Sequence, residues 1–229
     1  MFLMNYQILE NKIYAFKYFI KGNKMRNIIV VECISTGINF VEDIINRGYN
    51  PIALDLKVAE TPGGRDFAEF VINDYKRIPY DIEMIYEQET FEETLEEVKK
   101  YDPLLIVAGH ERGIILATKL SKELGLLGND VENLPAMTMK DQMQERIAEH
   151  GLRSIKGKLV HSLNEAIAFY DNEGLDEVVV KPNYSAGSTN VRICLNRDEM
   201  INAVNALFND INHYGDMLED LLIQERIKG

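Results

Sequence analysis

Lys181 and the residues after it form the part of the sequence best suited to binding a polyphosphate. The lysine ends the stretch EVVVKP, whose valines predict a buried strand, and an unpaired ammonium group in a buried strand is costly. The following residues are small: Ser185, Ala186, Gly187, Ser188, Thr189 and Asn190. Backbone N–H groups and hydroxyls of such a loop can approach a ligand closely. An ordinary hairpin loop would explain the small residues but not the lysine.

Two further features accompany this loop in the second half of the chain. Lys140 and Asp141 open the stretch KDQMQERIAEHGL, which predicts a helix. Taken alone, a lysine at a helix start is typical of a solvated surface position. The segment LLIQERIKG at the end of the sequence predicts an apolar strand that passes into alternating polar positions.

The first half of the chain predicts an open sheet of parallel strands. The stretches NIIVVECI, PIALDL and PLLIVAGH have the continuous apolar character of strands buried on both faces, and amphipathic stretches predict helices after them. Ligands of such α/β sheets bind beyond the carboxyl ends of the strands. We therefore predict an N-terminal appendage over residues 1–25, a Rossmann-like domain over residues 26–125 and a small α+β domain over residues 126–229.

A dinucleotide site in the first domain is an alternative that the sequence argues against. The turn after the first strand, residues 35–40, has one glycine, Gly37, where a pyrophosphate-binding turn needs three. Residues 109–113, at another strand end, either contact a ligand or form a turn with solvated charges. His110 in this segment is a candidate for contact with a substrate.

The composition indicates an acidic globular protein and argues against several partners. There are 25 Lys and Arg residues against 37 Asp and Glu residues, a formal net charge of −12 at pH 7, which disfavours nucleic acid and membrane surfaces. Cys33 and Cys194 lie far apart in apolar runs, as expected for buried thiols in the cytoplasm. The four histidines lack the spacing of metal ligands. We assign no catalytic and no metal-binding side chain and expect a cytoplasmic protein.

The order of these features resembles the ATP-grasp superfamily. The resemblance rests on Lys140 with Asp141, on Lys181 with its loop up to Val191, and on the terminal strand. Residues 26–125 look like the pre-ATP-grasp domain, and residues 126–229 look like the N-terminal ATP-grasp subdomain. Within the superfamily the chain is most similar to the branch of L-amino-acid ligases, biotin carboxylase and carbamoyl phosphate synthetase. The segment GHERGIILATKLSKELGLLGN points to the amino-acid ligases.

The resemblance implies an ATP site. Lys140 and Lys181 would hold the phosphates, the small-residue loop would close over them as a mobile lid, and Val180 and Ile223 would sandwich the adenine. Backbone groups of the terminal strand would hydrogen-bond the adenine. The nucleotide-binding residues implied are Lys140, Lys181, Ser185, Ala186, Gly187, Ser188, Thr189, Val191, Gln224, Glu225 and Ile227.

The activity implied is ATP-dependent ligation of a carboxylate to an amine, with amino acids or peptides as substrates, through an acyl-phosphate intermediate and with Mg²⁺. In relatives the magnesium ligands lie in a C-terminal ATP-grasp lobe beyond the position of Gly229, so we expect that lobe to be absent and this chain to be an inactive portion of the ligase. The alternative is a complete non-catalytic nucleotide-binding or regulatory module, or a subunit of a split ligase. Ligases of this type often form homodimers through the first domain.

Overall fold

The computed structural model describes residues 25–58 and 62–228. The chain divides into two compact units, Met1–Lys57 with Glu69–Val131 and Val58–Ala68 with Glu132–Gly229. The predicted appendage over residues 1–25 lies, apart from Met25, outside the described residues. The domain boundaries predicted from the sequence stay a prediction.

Four parallel strands form the sheet of the first unit. In chain order its elements are β1 (Asn27–Val31), α1 (Ile38–Asn46), β2 (Asn50–Asp55), α2 (Pro62–Tyr75), β3 (Glu83–Tyr86), α3 (Phe91–Lys99), β4 (Pro103–Ala108) and α4 (Gly113–Glu123). The strand order is β3-β2-β1-β4, and β1 pairs in parallel with both β2 and β4. The parallel sheet predicted from the apolar stretches is confirmed.

Strand β1 shows why this sheet forms at the centre of the unit. Ile29 and Val31 belong to one hydrophobic cluster, whereas Ile28 and Val30 belong to another. Because successive side chains of a strand point to opposite faces, both faces of the sheet are covered. Polar side chains of the central strands therefore lie at the strand ends, as Asp55 does at the end of β2.

An antiparallel sheet forms the second unit. Its elements are α5 (Leu134–Thr138), α6 (Lys140–Glu149), β5 (Gly157–Val160), α7 (Leu163–Asn172), β6 (Val178–Lys181), β7 (Arg192–Cys194), α8 (Arg197–Leu207) and β8 (Leu221–Glu225), and residues 62–68 of α2 also count with it. The strand order is β5-β8-β6-β7. One face of β6 and β8 packs on α7 and α8 in a single core. No helix of the described residues is long and apolar enough to span a membrane.

Candidate functional site

Lys181 is the last residue of β6 and lies opposite Leu222 on the central strand β8. Val178 and Val180 of the same strand are fully buried in the core against α7 and α8. Since side chains alternate along a strand, Lys181 lies with Val179 on the face away from that core. The predicted placement of the lysine at the end of a buried strand agrees with the structure.

The ammonium group of Lys181 makes no hydrogen bond and no ion pair with any residue in the described part of the chain. The side chain is half-buried, and this burial lowers the pKa of Lys181. A cation that has lost part of its hydration and has gained no protein partner is unfavourable on its own. Such a group is suited to an anionic ligand.

Lys140 is the first residue of α6, as the sequence predicts, and Asn183 fixes its position. The Lys140 Nζ donates to the carbonyl oxygens of Asn183 and Ser185, each at 3.0 Å. The buried Asn183 side chain accepts from the Asp141 N–H at 3.0 Å and donates to Asp141 Oδ1 at 2.8 Å. Because Asn183 comes two residues after Lys181, these contacts bring both predicted phosphate-binding lysines and the start of the loop into one neighbourhood.

The small-residue loop, residues 185–191, consists of two consecutive tight turns. The Thr189 N–H donates to the Ala186 carbonyl at 3.2 Å, and the Val191 N–H donates to the Ser188 carbonyl at 3.3 Å. Three loop residues have a positive φ, Gly187 at 64°, Ser188 at 58° and Asn190 at 62°. This backbone region favours glycine and small polar residues, which accounts for the loop composition. The mobility of the loop stays a prediction.

The end of β8 offers a backbone donor at the position that the resemblance assigns to adenine. The Glu225 N–H donates to Lys156 O at 2.8 Å and the Arg226 N–H to Glu177 O at 3.1 Å, so neither is available to a ligand. The Ile227 N–H has no hydrogen-bond partner among the described residues. Gln224 is buried between Gly157 of β5 and Val179 of β6.

One predicted feature of the adenine site is wrong. Val180 and Ile223 cannot sandwich a ring, because both are fully buried in the core with α7 and α8. The alternation of side chains, which the sequence prediction did not apply to these two positions, places Val179 and Leu222 on the face that carries Lys181.

The described residues do not provide a metal site or a reactive thiol. They contain no group of three or more His, Cys, Asp or Glu side chains placed to hold a metal ion, so we assign no magnesium ligand to them. Cys33 and Cys194 are both buried free thiols. Burial raises the pKa of Cys33 to about 12, which keeps it protonated and unreactive at neutral pH.

A second cluster of charged groups lies in the first unit, at the carboxyl ends of β1 and β2. Glu32 directly follows β1, is fully buried and has a φ of 57°. Its Oε1 accepts from Arg112 Nη1 at 3.2 Å and from the Leu56 N–H at 3.1 Å. Arg112, whose side chain is 13% exposed, also donates to the Lys57 carbonyl at 2.6 Å. The alternative of a turn with solvated charges therefore does not hold for this arginine.

The carboxyl groups of this cluster are strongly perturbed. Burial raises the pKa of Glu32 to about 7, although Arg112 opposes the rise. Burial also raises the pKa of Asp55, the last residue of β2. Three buried oxygens here have no partner of normal hydrogen-bond geometry within the described residues: Glu32 Oε2, Asp55 Oδ1 and Tyr75 Oη. At neutral pH the cluster therefore retains protons that exposed carboxyls would have lost.

The glycines of residues 109–113 are explained by packing. A Cβ at Gly109 would lie 2.4 Å from the Glu32 carbonyl oxygen, and a Cβ at Gly113 would lie 2.5 Å from the Val31 carbonyl oxygen. Both distances are too short for any side chain, so the close approach of the backbones requires glycine at these positions. A substrate contact of His110 stays a prediction.

The sequence analysis does not predict a role for three polar residues at these sites. Glu32 lies within NIIVVECI, which as a whole predicts an apolar strand; the signal is the carboxylate itself, because an acid inside such a run must be paired or protonated. Asn183 gives no pattern signal. His213, whose Nδ1 lies 3.2 Å from Thr189 Oγ1, has neither motif nor spacing to mark it.

Comparison with known proteins gives a family match within the second unit. Residues 138–229 match the phosphoribosylglycinamide synthetase, ATP-grasp (A) domain family. The chain is 30% identical over 139 residues to dapdiamide A synthase from Enterobacter agglomerans, a match that covers 60% of this chain and 33% of the relative. It is 26% identical over 118 residues to the carbamoyl phosphate synthase large chain of Deinococcus radiodurans, with 48% and 11% covered.

A solved structure resembles most of the chain. The L-amino acid ligase from Bacillus licheniformis superposes with a TM-score of 0.60 over 90% of this chain and 45% of that chain. The sequence identity is 15%, so this likeness shows the fold alone. The chain spans less than half the length of each of these three relatives.

The family match and the geometry concern the same residues. The matched region contains Lys140, Lys181, the loop of residues 185–191 and β8. The parallel sheet followed by a separate antiparallel sheet is the fold shared with the superposed ligase. The resemblance predicted from the sequence is therefore confirmed: residues 138–229 match an ATP-grasp domain family, and the fold is that of an ATP-grasp ligase over 90% of the chain.

Proposed function

We propose that the second unit binds the phosphates of ATP for a ligase that joins a carboxylate to an amine. The observation that carries this proposal is the half-buried Lys181 ammonium, which has no partner in the described part of the chain. A structural lysine at such a position would be expected to form an ion pair. An anion of high charge, such as a triphosphate, supplies the missing partner.

Each part of the predicted site has a role that its geometry supports. Lys181 contributes charge from the strand end, and Lys140 contributes charge from the start of α6, where the helix dipole also favours anions. The turns of residues 185–191 contribute backbone N–H groups and hydroxyls. Such fixed charges and dipoles stabilise the charge that develops during phosphoryl transfer and hold the phosphates in place.

The base would lie beyond the end of β8. Ile227 is 46% exposed, and its N–H is available to donate a hydrogen bond to a ring nitrogen of the adenine. Val179 and Leu222 are the apolar side chains on the face of Lys181, so they replace Val180 and Ile223 in the proposed contact with the ring. Recognition through backbone groups does not depend on the side chains at these positions, so it can persist in a chain whose sequence identity to its relatives is low.

We propose small-molecule carboxylate and amine substrates, with an acyl phosphate between them. ATP would supply the phosphoryl group that activates the carboxylate. The support comes from the relatives, an L-amino acid ligase and a carbamoyl phosphate synthase large chain among them. The cytoplasmic location and the homodimer implied by the resemblance belong to the same proposal.

Calorimetric titration of the chain with ATP and with ADP tests this function. We expect binding that Lys181→Ala weakens at least about tenfold, the effect of losing one charge-assisted hydrogen bond to phosphate. Binding should depend little on added magnesium, because the described residues contain no group of three or more His, Cys, Asp or Glu side chains placed to hold the ion. Lys119→Ala on α4 is the matched control, since it removes an exposed lysine from the first unit.

Two results would contradict the proposal. The first is the absence of ATP binding by a folded wild-type chain. The second is equal loss of binding in the Lys181 and Lys119 variants, which would indicate a general charge effect. Release of phosphate from ATP in the presence of mixed L-amino acids separates ligase activity from the alternative of a non-catalytic nucleotide-binding module.

A further inference from the structure

A short segment after α8, residues 211–215, contacts the small-residue loop. Asn212 organises this segment as a tight turn: its side-chain Oδ1 accepts from the Tyr214 N–H at 2.8 Å and from the Asp216 N–H at 3.0 Å. The Asn212 N–H in turn donates to the Asp216 carbonyl at 2.7 Å. Asn212 is 8% exposed. The turn therefore has its own internal support, and it presents His213 from a fixed backbone.

His213 contacts two hydroxyl-bearing residues of the loop, Ser185 and Thr189. The His213 N–H donates to Ser185 Oγ at 3.2 Å, and the ring Nδ1 lies 3.2 Å from Thr189 Oγ1. The ring also borders Gly187, where a Cβ would lie 3.6 Å from His213 Cε1. Next to these contacts, Asn190 Nδ2 donates to the Ile211 carbonyl at 2.6 Å. These contacts reach the loop from its first residue, Ser185, to its sixth, Asn190.

Aromatic packing fixes the ring of His213. The ring lies edge-on to Phe67 at 5.8 Å and to Tyr214 at 5.5 Å between centroids. Phe67 is 4% exposed and Tyr214 is 4% exposed, so both are held rigidly by their own surroundings. Tyr214 also packs on Tyr184, which lies one residue before the loop, at 5.3 Å. The imidazole therefore has little freedom to leave Thr189.

The loop needs such support because its conformation is unfavourable on its own. Ser188 and Asn190 adopt positive φ, which residues with side chains rarely do, and Gly187 loses more backbone freedom on ordering than a residue with a side chain would. The described hydrogen bonds within the loop are only two turn contacts. An external contact that holds the loop before a ligand arrives reduces the ordering that binding requires.

We propose that His213 is a positioning residue that holds the phosphate loop in its binding conformation. The proposal rests on the proposed function, since it concerns the same loop. His213 belongs to no sequence motif, so the sequence alone does not predict this role. In the proposed role His213 does not contact the phosphates itself but acts on them through Ser185 and Thr189. The contact with Thr189 is made by Nδ1, so the position of the ring nitrogen matters.

The test combines hydrogen exchange of the loop amides with nucleotide titration. In the free chain, His213→Ala should increase exchange at residues 185–191. It should also weaken ATP binding about five- to tenfold, as for the loss of one hydrogen bond, and leave AMP binding unchanged because AMP lacks the outer phosphates. His213→Asn places an amide nitrogen near the position of Nδ1 and should restore most of both effects. His213→Gln, which reaches the position of Nε2 instead, should not.

His150→Ala is the control, because His150 is exposed at the end of α6 and bonds only the Arg146 carbonyl among the hydrogen bonds described. Thermal unfolding of each variant establishes that it is folded. Unchanged loop exchange in His213→Ala, or unchanged or tighter ATP binding in it, would overturn the proposal while leaving the proposed function intact. Failure of the wild-type chain to bind ATP would overturn the proposed function, and the positioning role with it.

Discussion

The two units both place charged side chains at the ends of buried strands, but they treat the charge in opposite ways. In the first unit, the Glu32 carboxyl is fully buried and contacts Arg112, and its raised pKa reduces the remaining charge. In the second unit, the Lys181 ammonium is half-buried and has no charged partner among the described residues. In the first unit a cation of the protein itself compensates Glu32, although three buried oxygens of this cluster lack a partner of normal hydrogen-bond geometry among the described residues. In the second unit no described residue compensates the ammonium.

We interpret this difference as the contrast between a structural ion pair, Glu32 with Arg112, and a group that the proposed function assigns to ligand binding, Lys181. A buried ion pair that is broken from one side leaves an uncompensated charge and is strongly destabilising. An unpaired cation contributes no such stabilisation, and its removal relieves desolvation. Removing the positive charge should therefore have opposite effects on the stability of the two units, and the following predictions test that contrast.

Arg112→Met should give the largest effect. Glu32 and Asp55 would then lose the cation that lowers the pKa of each, and we expect a loss of about 3 kcal/mol in the free energy of unfolding. Urea denaturation followed by circular dichroism measures it. The double variant with Glu32→Gln should recover part of the loss, because the buried charge is removed too. Equal free energies of unfolding for Arg112→Met and the wild type would contradict a stabilising ion pair between Arg112 and Glu32.

Glu32→Gln should change how stability depends on pH. The pKa of Glu32 is about 7 in the folded chain and 4.5 for the ordinary group, so the folded state holds the extra proton. This contribution to stability is complete below the ordinary pKa and is lost as the pH rises through the folded pKa. The wild type should therefore lose on the order of 3 kcal/mol relative to Glu32→Gln between about pH 5 and about pH 8. If the free energy of unfolding varied with pH in the same way in both proteins, the raised pKa of Glu32 would be refuted.

Asn183→Ala should have an intermediate effect in the second unit. It removes two hydrogen bonds to Asp141 and leaves the Asp141 N–H without that acceptor, so we expect a loss of about 1–2 kcal/mol. Thermal unfolding measures it. Asn209→Ala, which removes an exposed amide that donates to Asn205 O, is the matched control and should lie within about 0.5 kcal/mol of the wild type. A control as destabilised as the test variant would show that Asn183 has no special role.

Lys181→Met should have the smallest effect on stability, and one of opposite sign to Arg112→Met. The ammonium is partly desolvated and has no partner among the described residues. We therefore expect the free energy of unfolding to stay the same or to rise by about 0.5–1 kcal/mol, as is common when a ligand-binding side chain is replaced. Urea denaturation without nucleotide checks it. Lys158→Met, at an exposed position of β5, should leave stability unchanged. A clear loss of stability in Lys181→Met alone would reveal a structural partner and remove the main support for the phosphate site.

The sequence predicts the strands and the positions of Lys140 and Lys181 at element ends, because hydrophobic periodicity and the cost of burying an unpaired charge are local signals. The role of the two lysines in binding stays a prediction. NIIVVECI and EVVVKP become β1 and β6, and Lys140 begins α6 as predicted. The face of each residue is harder to predict, and Val180 and Ile223 are wrong for that reason. The pairing of Glu32 with Arg112 and the contact of His213 with Thr189 join residues far apart in sequence. No local pattern encodes such contacts, since they arise only when the strands and helices have packed.

The most direct test of the account maps ATP binding onto the backbone by NMR. ATP added to isotope-labelled chain should shift the amide signals of residues 185–191 and of Ile227, and those of α6 near Lys140. The amides around Glu32 and Arg112 report on the other strand-end cluster, and we expect much smaller shifts there because Arg112 already pairs with Glu32. Shifts concentrated at Glu32 and Arg112, with none in the loop after Lys181, would contradict the assignment of the phosphate site to the second unit.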